Sequence, residues 1–257
     1  MVQSVNYDDI ATTYDRRYQQ NDYSGVEAAL TAFVREHVDQ RVLEVGCGTG
    51  HWLRFCGTGI RVMGLDASAQ MLTHAKTQAP GAALAQGSAE CLPWANESFD
   101  RVFCINAFHH FHDKVGFLAE AIRVLRPGGL MMTVGLDPHA GVDRWYIYEY
   151  FDNALEIDRR RYAASSQIRE WMQAAGFADC VTREVQHLPV RLGARAALEQ
   201  GRLDKSVTSQ LSVLTDEEYR QGVARVHQAV ASAEARGESL HLSADLRLYA
   251  TFGAVPS

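Results

Sequence analysis

Residues 42–50, Val-Leu-Glu-Val-Gly-Cys-Gly-Thr-Gly, constrain this chain more than any other stretch. Val42, Leu43 and Val45 surround a single acid, Glu44, and aliphatic, β-branched residues of this kind favour a strand. The run ends in alternating glycines, Gly46, Gly48 and Gly50. Glycine lets a chain turn sharply off a strand, and it lets a ligand approach the backbone where a Cβ would collide. Residues 51–57 read as a helix after the turn, whose first N–H groups would suit a carboxylate or a phosphate. The dinucleotide fingerprint G-x-G-x-x-G, counted from Gly46, requires glycine at position 51, where this chain has His51. Glu44, two residues before the first glycine, can instead receive an ammonium. A ligand bearing an amino acid carries that group and a pyrophosphate does not.

Strand-like and helix-like segments alternate around this junction. Residues 5–38 read as helical, with Val26, Ala29, Leu30, Phe33 and Val34 on one face. Arg41–Val45 reads as a strand, 61–66 as a second, 82–86 as a third, 101–106 as a fourth and 130–134 as a fifth. Ser68 can cap the helix carrying Met71, Leu72 and Ala75. Leu118, Ala121, Ile122 and Leu125 mark another helix, broken by Pro127-Gly128-Gly129. This order predicts an α/β fold, a mostly parallel sheet with helices on both faces. A helix at 166–175, a strand at 180–188, a helical stretch and a strand at 240–252 follow. Thr215 with Glu218 forms a capping box, and Val223, Val226, Val230 and Ala233 follow it as an apolar stripe. The two late strands predict an antiparallel last strand closing one sheet edge, with 192–238 inserted as a helical cap. The whole of 1–257 is expected to be one domain, with 1–38 as an amino-terminal helical segment.

The bulk properties exclude several classes. The net charge of −6 lacks a basic footprint, so nucleic acid is not expected as a partner. The one dense basic run, Arg159-Arg160-Arg161, reads as a solvated helix end or local ion pairs. No apolar run is long enough to span a bilayer, and no signal peptide is visible, so membrane insertion is not expected. Five scattered cysteines without a CxxC pair argue against a disulfide framework or a zinc site and suit a reducing cytoplasm. The oligomeric state, a homodimer included, is left open.

The motifs, taken in order, resemble the class I S-adenosylmethionine (SAM) dependent methyltransferases, especially the group similar to the ubiquinone and menaquinone biosynthesis enzymes. The resemblance covers roughly residues 5–135. It rests on Glu44-x-Gly46-x-Gly48-x-Gly50, on Val62 through Ser68, and on Gly87-Ser88-Ala89-Glu90 with Leu92-Pro93 and Ser98-Phe99-Asp100. Asn106 through Phe111 and Val124 through Gly129 complete it. It implies a Rossmann-like sheet and SAM as cofactor, bound by Tyr14, Glu44, Gly46, Cys47, Gly48, Gly50, Asp66, Ala67, Met71, Ser88, Ala89, Glu90 and Asn106. Asp66 would accept both ribose hydroxyls and be the main selectivity determinant there. Ser88 stands where the family usually has an acid facing the adenine amino group, and an uncharged hydroxyl accepts a weaker bond. Tyr7 and Tyr14-Asp15 resemble the segment that folds over the cofactor.

The implied reaction moves the SAM methyl to a small-molecule oxygen, nitrogen or carbon nucleophile, releasing S-adenosylhomocysteine. His109, His110 and His112 follow the fourth strand, the usual edge for chemistry in an open parallel sheet. His109 is the candidate general base, against the plainer reading of side chains that pack or bond loop backbone. His110, Tyr146 and Tyr150 are candidates for the substrate pocket, the two tyrosines sharing a helix face within the aromatic cluster 145–151. A nicotinamide oxidoreductase is disfavoured by His51 and Glu44, and a non-catalytic SAM-binding protein by motifs that show no visible break. If the glycine loop is a ligand cradle, Gly48→Val should abolish cofactor binding while circular dichroism shows the fold intact. Normal SAM binding by the folded variant would make the loop a plain turn.

Overall fold

Aliphatic side chains on both faces place β1 (Arg41–Val45) at the centre of the sheet, where every residue after Arg41 is buried. The computed structural model describes residues 14–34 and 39–257. Before β1 lie α1 (Arg16–Gln20) and α2 (Ser24–Val34). The continuous helix expected over 5–38 is interrupted at 21–23, where Asn21 turns extended and the Asp22 side chain accepts the Ser24 amide. Residues 1–13, with Tyr7, and 35–38 lie outside the described residues.

Strand β2 (Arg61–Asp66), helix α3 (Ala69–Gln78), strands β3 (Ala83–Gln86) and β4 (Phe99–Ile105), helix α4 (Lys114–Val124) and strand β5 (Leu125–Leu136) follow. The Ser68 hydroxyl caps α3 by accepting the Met71 amide at 3.0 Å. The helix expected over 51–57 is absent. Only a single 3-10 turn, Leu53–Cys56, forms there, because Gly57 at φ +86° stops the chain within one turn. The loop therefore owes nothing to a following helix dipole.

Beyond β5 come β6 (Arg144–Trp145), α5 (Tyr146–Tyr150), α6 (Ala154–Arg161), α7 (Ser165–Ala175), β7 (Ala178–Gly193), α8 (Ala194–Glu199), α9 (Ser209–Ser212), α10 (Asp216–Ala235) and β8 (His241–Ala254). The strand order is β3-β2-β1-β4-β5-β8, with β6 and β7 also on β8. Strands β1 to β5 pair in parallel, and β8 runs antiparallel to β5, β6 and β7. The sheet is thus Rossmann-like and mostly parallel, with the antiparallel last strand at the expected end. Strand β7 is far longer than the expected 180–188. It pairs with β8 from Ala178 to Gly193, apart from two register shifts, and its alternating exposure is that of an edge with one wet face.

The segment between β7 and β8 packs by one face. Gly222, Val226, Val230 and Ala233 of α10 are buried, and Val223 is half-buried beside them. Val226 and Val230 belong to the apolar cluster that includes Val42, Phe103 and Met132 of the sheet. Gly222 sits under the Phe151 ring, where a Cβ would lie 2.1 Å from Cδ1. Shared core of this kind suits a static brace better than a mobile lid. Hydrogen exchange should therefore be slow in α10 with or without ligand, and Gly222→Val should lower stability by about 1–3 kcal/mol through overpacking. Fast exchange in the ligand-free protein would mean that the segment opens.

Candidate active site

The glycine loop is held by β2. The Gly46 and Cys47 amides donate to Leu65 O at 2.7 and 3.0 Å, and the Gly48 amide donates to Asp66 Oδ2 at 2.7 Å. Asp66 Oδ1 accepts the Ser68 amide at 2.9 Å. Asp66 therefore ties loop, strand and the next helix together, so its removal would disturb the loop before any ligand arrives. Gly46, Gly48 and Gly50 have φ of +75°, +52° and +80°. A Cβ at Gly46 would lie 2.5 Å from Ala107 Cβ, and one at Gly50 3.1 Å from Ala75 Cα, so these two glycines serve close packing. Among the described residues, only the Tyr14 ring, at 3.8 Å, comes near the Cβ position of Gly48.

A cavity of about 460 Å³ opens over the loop. Tyr14, Gly46, Gly48, Asp66, Ala67, Met71, Ser88, Ala89, Glu90 and Asn106 line it, as do His109 and His110. Three expected cofactor residues do not. Cys47 packs with Leu53 and Leu72 below the loop, and Gly50 faces α3. Glu44 is fully buried beneath the floor, and neither of its oxygens has a hydrogen-bond partner among the described residues. Burial, and then the nearby Asp66 charge, push the Glu44 carboxyl well above the usual carboxylate range. Glu90 is held by the His112 and Asp113 amides and by the Ser88 hydroxyl. The amino-terminal segment covers this side: Thr49 donates to Asp15 at 2.5 Å, and His51 stacks on Tyr18 at 3.5 Å. That stack gives the His51 position, decisive against the dinucleotide fingerprint, a packing role.

A second cavity, about 140 Å³, adjoins the first. Asn106, His109 and His110 line both. Its walls include Trp145 and Tyr146, Leu188, Val190 and Leu192 of β7, and Leu246 and Leu248 of β8. Tyr146 lines this cavity, but Tyr150 lines neither. Helix α5 is a single turn that leaves Tyr150 against the core, with its carbonyl accepting from Arg225 at 2.8 Å. The β7 residues were missed because 180–188 was read only as edge closure. The period-2 run Leu188, Val190, Leu192 is the signal that would have shown one shared face.

His109 meets a competing partner. Its Nε2 lies 3.0 Å from the Tyr162 hydroxyl, and the two rings stack at 3.9 Å. Gln210 donates to that hydroxyl at 3.1 Å, which directs the tyrosine proton toward His109. Behind them, Arg161 donates to Asp158 Oδ1 at 3.1 Å and Tyr148 to Asp158 Oδ2 at 2.8 Å. Of the basic run, Arg161 is buried in this network and Arg159 pairs with Glu156 on the surface. Burial first, then the neighbouring His110 and Arg161, hold the His109 pKa well below 6.5.

Comparison with known proteins follows this geometry. Residues 43–133 match the family model described as a methyltransferase domain. A phthiotriol/phenolphthiotriol dimycocerosates methyltransferase of Mycobacterium leprae is 38% identical over 118 residues, 42% of each chain. A demethylmenaquinone methyltransferase of Renibacterium salmoninarum is 29% identical over 64% of this chain and 77% of its own. Over this region the chain is similar to the class I SAM-dependent methyltransferases. The match spans well under two thirds of the mycobacterial relative's length. The crystal structure of YcgJ from Bacillus subtilis shares the class I fold, with TM-score 0.64 at 18% identity, over 91% of this chain and 100% of that one.

The depressed His109 pKa has a consequence for stability. The unfolded chain takes up the histidine proton near pH 6.5 and the folded chain does not, so this group makes stability fall as pH drops below that value. His109→Gln should reduce the slope by about 1.4 kcal/mol per pH unit between about pH 5 and 6.5 in urea denaturation. Glu44 and Asp143, whose pKa values are raised, act in the opposite sense and cancel in the comparison with wild type. An unchanged slope would mean that folded His109 protonates normally.

Proposed function

We propose that this chain transfers the methyl group of SAM to an oxygen, nitrogen or carbon nucleophile of a small molecule seated in the second cavity. The observation that carries this reading is the shared wall: Asn106, His109 and His110 line both cavities. A non-catalytic SAM-binding protein has no need of a second cavity at that point. Asn106 occupies it with φ +53°, a left-handed conformation that asparagine tolerates, and its amide is anchored on Val134 O at 2.8 Å.

The residues over the loop fit the cofactor. Glu44 offers an orphaned buried carboxylate for the ammonium end, and Gly48 a bare backbone against which the ligand can lie. Asp66 accepts the Gly48 and Ser68 amides at the end of β2, where its carboxylate would meet the vicinal ribose hydroxyls. Ala67, Met71, Ser88, Ala89 and Glu90 would enclose the adenosine, and Tyr14 would close over the loop. When bound, SAM supplies an electrophilic methyl on a sulfonium. The chain's part is then alignment, which requires a fixed wall and exclusion of water and no covalent intermediate. His109 serves that wall; to accept a proton through Nε2 it would first have to give up its bond with Tyr162. All five cysteines are free thiols, which fits a cytoplasmic, reducing setting.

Calorimetric titration with S-adenosylhomocysteine in two buffers of different ionisation enthalpy tests the cofactor assignment. An ammonium brought to Glu44 favours its ionised form, so binding should release the proton that burial holds there. Glu44→Gln should abolish the release and weaken binding by about tenfold, the loss of one charge-assisted contact. Absence of binding to wild type would overturn the methyltransferase reading. Methyl transfer itself is read from S-adenosylhomocysteine formation with metabolite extracts, with the product identified by mass.

A further inference from the structure

We infer that the methyl acceptor is an organic anion, a carboxylate or phosphate joined to an apolar body, held by Arg202 at the mouth of the second cavity. This rests on the methyltransferase reading above. Arg202 follows Gly201, whose φ of +65° bends the chain after α8, and its amide is fixed on Ala197 O at 2.9 Å. The turn delivers a half-buried guanidinium to the cavity. That guanidinium makes no ion pair or hydrogen bond with any described residue. Among the described residues no aspartate or glutamate lines the cavity, whereas Arg17, stacked over the Tyr14 ring at 3.8 Å, lines it as well.

Outside the cavity a wider vestibule of about 350 Å³ shares Arg202, Leu188, Val190 and Leu192 with it, so Arg202 stands at the threshold. Exposed Arg191 borders this vestibule. Its one acid among the described residues, Asp22, is exposed and already accepts the Ser24 amide at 2.8 Å. His187, also there, is engaged with Asp245 at 2.6 Å. On the far side of His110, Arg161 is 8% exposed, and its Nη2 has no hydrogen-bond partner among the described residues. Its Nη1 is paired with buried Asp158 at 3.1 Å, and the acids that line the first cavity, Asp66 and Glu90, accept backbone amides.

The result is a positive field around an apolar slot, in a chain whose net charge is −6. Low-dielectric walls strengthen that field for a charge lying against them. A neutral acceptor would strip water from Arg202 and return nothing for it, while a carboxylate or phosphate can take its planar fork in two parallel bonds. The apolar part then runs inward along Leu188, Val190 and Leu192, and the nucleophile reaches the wall at Asn106 and His110.

Three probes decide this: 4-phenylbutyrate, 4-phenylbutyl phosphate and the neutral 4-phenylbutyramide, each titrated into protein saturated with S-adenosylhomocysteine. At least one anion should bind about tenfold or more tighter than the amide, the scale of one charge-assisted contact, and which anion does so separates carboxylate from phosphate. Arg202→Met should erase the preference, Arg202→Lys should restore part of it, and both should leave S-adenosylhomocysteine affinity within about twofold of wild type. An amide that binds as tightly as both anions, or a preference that survives Arg202→Met, overturns the inference while the cofactor reading stands. Failure of S-adenosylhomocysteine to bind wild type overturns both.

Discussion

The anchoring of the glycine loop on the end of β2 is the constraint on which the rest of the site depends. Leu65 O takes two loop amides and Asp66 takes a third, so the turn after β1 is fixed by the neighbouring strand. A parallel pair makes this possible, because β1 and β2 end at the same level, Val45 opposite Leu65. With the loop fixed, Glu44 is sealed beneath it without a hydrogen-bond partner among the described residues, and the bare backbone of Gly48 faces the cavity. Burying a carboxylate in that way is unfavourable, which is why burial raises the Glu44 pKa.

The second constraint is the network behind the histidines. Asp158 is completely buried, and it is compensated by Arg161 and Tyr148. The same α6 segment leads into Tyr162, which holds His109 flat against the cavity wall with help from Gln210 of α9. Residues from α6, from the turn after it and from the cap therefore set the position of a ring that follows β4. Such a connected cluster resists rearrangement, since each broken bond would leave a further buried polar atom unsatisfied. A rigid wall between two cavities is what alignment chemistry requires.

Much of the architecture was legible because it is local. Alternating strands and helices, the Ser68 and Thr215 caps, and Gly176 after α7 are written in spacing and residue type. So was the cofactor side: the residues that line its cavity come mainly from the ends of β1, β2 and β4 and the loop after β3, which motifs mark in order. The exceptions have physical causes. Cys47 and Gly50 belong to the motif but turn toward the core, and the short segment after the loop stops at Gly57 before a helix can form.

The acceptor side was legible only in part, and the difference is one of range. The sequence by itself determined the parallel sheet, the antiparallel last strand, the glycine loop and Asp66, because backbone conformation and strand ends follow from neighbours a few residues apart. Tertiary structure alone decided that Leu188, Val190 and Leu192 share a wall with His110, that Tyr162 takes the His109 ring nitrogen, and that Arg202 reaches the cavity mouth without a counter-charge among the described residues. These groups lie tens of residues apart in the chain. Only the pairing of β7 with β8 and the packing of the segment between them bring the groups together, and no local pattern encodes that meeting.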